Sequence, residues 1–166
     1  MGLIRTIKMK LLSLSSFVLM LLTLAFSSCK KTCTIPTDNV NKGWIEQNVQ
    51  VHAKSSYLTN QMKGNYIVTG SSPLANFFQM SIDEGAIKPV NYSSYTILCY
   101  PILTSCNAQF EREVIFDAIN EAVLYKIIVT ECNECEEERF SENYVLVPKF
   151  PSKFKVYYDI QRVNAD

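Results

Sequence analysis

The chain has 166 residues, 48% of them hydrophobic and 19% charged, with 16 basic against 16 acidic side chains. That is enough length and apolar content for one domain with a buried core. The balanced charge carries no basic stripe, which argues against nucleic acid as a partner.

The first element is an apolar run from Leu11 to Phe26, preceded by Arg5, Lys8 and Lys10 and by no acidic residue. A membrane-spanning helix needs roughly 20 predominantly apolar residues. This run is shorter and carries Ser13, Ser15, Ser16 and Thr23. A basic start, a short apolar segment and small residues at its end predict a helical secretory signal over residues 1–28 rather than a permanent span. The run closes on Phe26-Ser27-Ser28-Cys29. This segment resembles the lipobox of bacterial lipoproteins, in which two small residues precede a cysteine that becomes the lipid-bearing N-terminus. The family more often has Leu or Val where Phe26 stands. The resemblance covers residues 1–29 and implies lipidation of Cys29 by diacylglycerol, and a firm membrane anchor of three palmitate-like acyl chains. Each buried CH₂ contributes about 0.8 kcal/mol to such an anchor. By the same resemblance, Lys30 and Lys31 after the cysteine imply the outer membrane, and the absence of an acidic run there leaves the domain facing the periplasm. Removing residues 1–28 leaves 138 residues with 13 basic and 16 acidic side chains, a net charge near −3.

Residues 29–43 read as a flexible tether, rich in Lys, Thr, Asn and Pro and without an apolar period. Residues 44–166 read as a single domain. Short β-branched and aromatic runs follow one another between turn signals: Val49 to Ala53, Tyr66 to Val68, Phe77 to Ile82, Tyr95 to Tyr100, Leu124 to Thr130, Tyr144 to Val147 and Phe154 to Val163. This spacing predicts a mainly β fold, an antiparallel β-sandwich of immunoglobulin-like or similar kind. Residues 109–125 also admit a helix, with Phe110, Val114, Ala118 and Ala122 at steps of four. Arg112, Asp117 and Glu121 fall on its apolar side, however, so a hairpin turning at Asp117 to Asn120 is the preferred reading. In the last segment Phe154, Val156, Tyr158 and Ile160 form the inward set.

Beyond Cys29, five cysteines remain: Cys33, Cys99, Cys106, Cys132 and Cys135. An oxidising envelope predicts two disulfides among Cys99, Cys106, Cys132 and Cys135, in any of three connectivities. The two local pairs, Cys99 with Cys106 and Cys132 with Cys135, are slightly favoured. Cys33 is then a free thiol in the tether, with pairing between chains as its alternative. The same four cysteines supply the thiolates of a structural zinc site, though the six-residue spacing of the first pair does not match a zinc knuckle. A redox pair at Cys132 and Cys135 is opposed by Glu136, Glu137 and Glu138, because neighbouring carboxylates raise a thiol's pKa. The glutamates at 131, 134, 136–138 and 142 lack the Asp-x-Asp-x-Asp-Gly pattern of a calcium loop and read as a solvated turn.

His52 is the one histidine, at a polar position of its strand. No Gly-x-Ser-x-Gly elbow, His-Glu-x-x-His or phosphate-binding loop occurs. Tyr157 departs from the inward set of the last strand, and Phe150 lies in the adjacent Lys149–Lys153 loop. Both are candidates for an exposed binding surface. The expectation is a lipid-anchored envelope protein whose sandwich domain binds a protein, glycan or other ligand without catalysis and without a cofactor, acting as a binder or as an inhibitor or assembly accessory. The alternative is a metal or redox protein centred on Cys132 and Cys135.

Overall fold

The computed structural model describes residues 33, 35, 38–54, 64–83, 85–105, 107–132 and 138–165. The expected signal helix, Cys29, Cys106 and Cys135 lie outside the described residues. The fold is mainly β. Its strands are β1 (Val40–Gly43), β2 (Val49–Ala53), β3 (Tyr66–Val68), β4 (Phe78–Ile82), β5 (Lys88–Pro89), β6 (Tyr95–Cys99), β7 (Ile102–Ser105), β8 (Ala108–Asp117), β9 (Ala122–Glu131), β10 (Glu138–Ser141), β11 (Tyr144–Pro148) and β12 (Lys155–Asn164). Among the described residues the helical content is one short 3₁₀ turn, Ala75–Phe77.

The longest sheet is built on the β8–β9 hairpin, so residues 109–125 form the hairpin rather than the helix. Its turn is fixed by Asp117, whose Oδ1 accepts the N–H groups of Ile119 and Asn120, each at 3.0 Å. This is the local side-chain-to-backbone bonding that makes Asp a turn residue. Inward positions of β9 alternate strictly: Val123, Tyr125, Ile127 and Val129 are buried. The sheet order is β1-β8-β9-β12. Here the antiparallel expectation needs correction, because β1 runs parallel to β8 and β12 runs parallel to β9. The residues between β9 and β12 hold two further strands and a loop, and that length permits a parallel return that a tight turn cannot make.

A three-stranded sheet, β11-β6-β3, lies against it. Leu98, Val145 and Val147 pack into one cluster with Val114, Tyr125 and Ile127 of the long sheet. The alternate residues Ile97, Cys99, Tyr144 and Leu146 pack into a second cluster with Phe78 and Met80 of β4. Strands β6 and β11 are therefore buried on both faces, which is why they read as continuous apolar runs rather than as alternation. Strand β4 belongs to a sheet of order β2-β4-β5, and β7 pairs with β10.

Two expectations about the N-terminal part are overturned. Residues 40–43 are not tether: β1 pairs with β8 from Glu111 to Val114, and the Phe110 N–H donates to Asn39 Oδ1 at 3.1 Å. Their polar composition hides a strand whose partner, not its own pattern, dictates it. Cys33 is not free either. It is bonded to Cys132 across 99 residues of sequence, with 6.0 Å between the Cα atoms.

Candidate functional site

The loop between β11 and β12 forms one wall of a groove of about 740 Å³. Phe150, Pro151 and Phe154 come from that wall, Ile67 and Thr69 from β3 and its turn, and Tyr92 and Thr96 from the entry to β6. A concave, largely apolar surface with a few polar groups is the usual form of a ligand site.

The aromatic wall is held from behind. Trp44 lies 4.3 Å from Phe116 and 6.0 Å from Phe150, and Phe116 stacks on Phe154 at 4.9 Å. These rings pack against the first cluster, so Phe150 and Phe154 line the groove from a packed base. The opposite rim is fixed by hydrogen bonds. The Lys149 N–H donates to the Ser94 carbonyl at 2.8 Å, and the Tyr92 hydroxyl donates to the Ala75 carbonyl at 3.0 Å. Gly70 admits this closeness: a Cβ there would sit 3.2 Å from Tyr92 Cβ. Burial, with a smaller contribution from the neighbouring Cys99, pushes the Tyr92 phenol up to about 12, so the ring lines the groove as a neutral group. Lys149 is the one charged residue among those lining the groove.

Of the sequence-predicted binding residues, Phe150 lies in this groove and Tyr157 does not. Tyr157 is 53% exposed on the outer face of the long sheet, in register with Leu124, which is itself opposite Ile115. The inward set Phe154, Val156, Tyr158 and Ile160 packs against the first cluster as expected.

The cysteine expectations fare differently. Cys99 is a free thiol, fully buried on β6, and burial raises its pKa far above the ordinary thiol range. Cys132 is bonded to Cys33. Cys99 and Cys132 thus do not take part in the favoured local pairs, and Cys132 in a disulfide offers no thiolate to a metal; Cys106 and Cys135 lie outside the described residues. The reason is register, since pairing with Tyr66 and Tyr144 places Cys99 inside the second cluster. Among the described residues no group of three or more His, Cys, Asp or Glu side chains is placed to hold a metal ion. Within the glutamate-rich stretch, Glu131 pairs with Arg162 at 2.6 Å.

His52 lies with its Nε2 2.9 Å from Ser81 Oγ, joining β2 to β4. Ser81 is only 4% exposed. The pair has the spacing of a nucleophile and its base, but the hydroxyl is closed off by the sheet.

Sequence reasoning missed a second hollow, polar and about 490 Å³, lined by Asn39, Asn41, Gln50, His52, Arg112 and Glu142 among others. The signal was present: Arg112 stands between Phe110 and Val114 on the inward face of β8. Burial pulls its pKa down, opposed by the Tyr125 phenol. Comparison with protein-family profiles, with curated proteins and with solved structures finds no match in any of the three.

Proposed function

We propose that this chain is a lipid-anchored protein of the bacterial envelope, held at the outer membrane through Cys29, whose domain folds as a β-sandwich and binds a partner without covalent chemistry. The observation that carries the binding reading is the groove beside Phe150. It combines a pre-packed aromatic wall, hydroxyl-bearing residues on the other side and a lone cation, Lys149. That combination suits an apolar or aromatic group next to a negative charge, as an envelope protein or an acidic glycan presents it. The sandwich reading rests on the long sheet and the β11-β6-β3 sheet packed about one apolar cluster, with the β2-β4-β5 sheet adding to the far side.

Two measurements test the reading. Cells grown with a labelled fatty acid should label the full chain, and Cys29→Ser should abolish the label; an unlabelled parent refutes the anchor. The fluorescent apolar anion anilinonaphthalene sulfonate should bind the purified full chain saturably. Phe150→Ala and Lys149→Ala should each weaken that binding about tenfold, the range for removing one buried contact or one charge-assisted bond. Equal binding by parent and both variants refutes the groove as the site.

A further inference from the structure

We infer that the polar hollow at Arg112 is a second binding site, for a carboxylate-bearing ligand. It shares no residue with the groove beside Phe150, so either can fail without the other.

The inference starts from charge. Arg112 is 8% exposed, on a strand face otherwise given to Phe110 and Val114. A cation taken out of water calls for a counter-charge. Arg112 forms no ion pair among the described residues, although Asp38 and Glu142 line the same hollow. Its Nε donates to the neutral Asn143 Oδ1 at 2.9 Å, and its Nη2 donates to the Glu142 carbonyl at 3.4 Å. The guanidinium carbon also lies 5.3 Å from the centre of the Phe110 ring. These contacts orient the group through two neutral acceptors and a ring face. The remaining nitrogen, Nη1, makes no bond among the described residues, and Arg112 lines the hollow.

A second observation is independent of the first. Asn41, opposite Arg112 in the parallel β1–β8 register, has its Oδ1 buried with no hydrogen-bond partner. Buried polar atoms in folded proteins are almost always satisfied. An unsatisfied acceptor beside a cation without an ion pair describes a place built for a ligand that carries an acid and a hydrogen-bond donor.

The chemistry of the rim narrows the class. Asp38 and Glu142 also line the hollow. Their negative charges oppose a dianion such as phosphate more strongly than a monoanion. With Nε and Nη2 already engaged, Arg112 offers a single free nitrogen, which suits one carboxylate oxygen end-on. Asn39, Asn41 and Gln50 provide a neutral polar wall for the hydroxyl or amide groups of the rest of the ligand.

The test uses the full chain, ¹⁵N-labelled, titrated with sodium acetate against sodium chloride at constant ionic strength. Acetate should shift the Arg112 Nε–H and Asn41 side-chain amide signals saturably, and inorganic phosphate should do so more weakly. Arg112→Gln should remove the acetate response. Because that variant also loses the bond to Asn143, Asn41→Ala serves as the second. It keeps the guanidinium in place and should leave acetate binding unchanged, since acetate has no donor for Asn41 Oδ1, while lowering about threefold the affinity for glycolate, whose hydroxyl can donate there, the loss of one neutral hydrogen bond. No saturable response in the parent overturns the inference. So does an equal response to chloride, tighter binding of phosphate than acetate, an acetate response that survives Arg112→Gln, or a glycolate affinity that Asn41→Ala leaves unchanged.

Discussion

Replacing Cys33 with serine removes the bond to Cys132 and frees a loop that now spans 99 residues. On loop-closure entropy alone, a cross-link over about 100 residues restrains the unfolded chain by about 4.7 kcal/mol at 25 °C, and loss of a native disulfide from a small domain typically costs 2–5 kcal/mol. Cys132 is buried, so the bridge is part of the packed domain rather than an ornament of its surface. We expect Cys33→Ser to lose about 3–5 kcal/mol, about a fifth or more of the 5–15 kcal/mol that domains usually hold. The assay is urea unfolding of the full chain without reductant. The midpoint should fall, and the slope should rise because the uncrosslinked unfolded chain exposes more surface. A loss under about 1 kcal/mol with an unchanged slope would refute the bridge as a constraint on folding.

The other predictions concern packing and protonation. Gly43 has φ 71°, and a Cβ there would lie 2.3 Å from the Val114 carbonyl oxygen, which also accepts the Trp44 N–H at 2.7 Å. Gly43→Ala should therefore cost about 1–3 kcal/mol in thermal unfolding, and a neutral result would mean that β1 does not dock as described. Ile127→Ala, at a fully buried site, should cost about 2–5 kcal/mol, whereas Ile119→Ser, 93% exposed at the hairpin tip, should stay within about 0.5 kcal/mol. If equilibrium unfolding gives the two equal costs, the assignment of that hairpin's faces is wrong. Burial raises the pKa of Cys99 and of the Tyr125 and Tyr158 phenols, and that of Tyr92 to about 12, from ordinary values of 9.0 and 10.0. The unfolded chain then releases these protons while the folded one keeps them. Stability is full below about pH 9 and falls as pH rises toward 12; urea midpoints that stay flat across that window would refute the burial of these groups.

The strands legible in the sequence are those whose own residues dictate them. The β-branched run of β9, the double-sided runs of β6 and β11, and the alternation of β12 all reappear close to their expected bounds. Strands β1, β5, β7 and β10 were not legible. Val40-Asn41-Lys42-Gly43 has the composition of a loop, and it becomes a strand because β8 offers an open edge in parallel register. Cysteine pairing was illegible for a general reason: spacing does not fix connectivity. The groove was half legible. Phe150 stood out as an aromatic in a loop, but Ile67, Tyr92 and Thr96 reach it from elsewhere in the chain, and only folding assembles them. Arg112 carried its own signal, a charge at an inward position. That charge conflicts with an apolar helix face and equally with a buried strand face.

The order β1-β8-β9-β12 also sets how this domain must fold. The central hairpin is local and forms on the scale of microseconds. Both of its neighbours arrive from far away: β1 pairs with residues 71 positions downstream, as Val40 with Glu111, and β12 pairs with residues 33 positions upstream, as Lys155 with Ala122. Each must close a long loop before gaining any contact, which places folding among the slow, high-contact-order β proteins at milliseconds to seconds. In that interval the two long strands of the hairpin stand with unpaired edges and an apolar face that ends up fully buried. The exposure to self-association is therefore kinetic, and it ends when the two parallel strands dock.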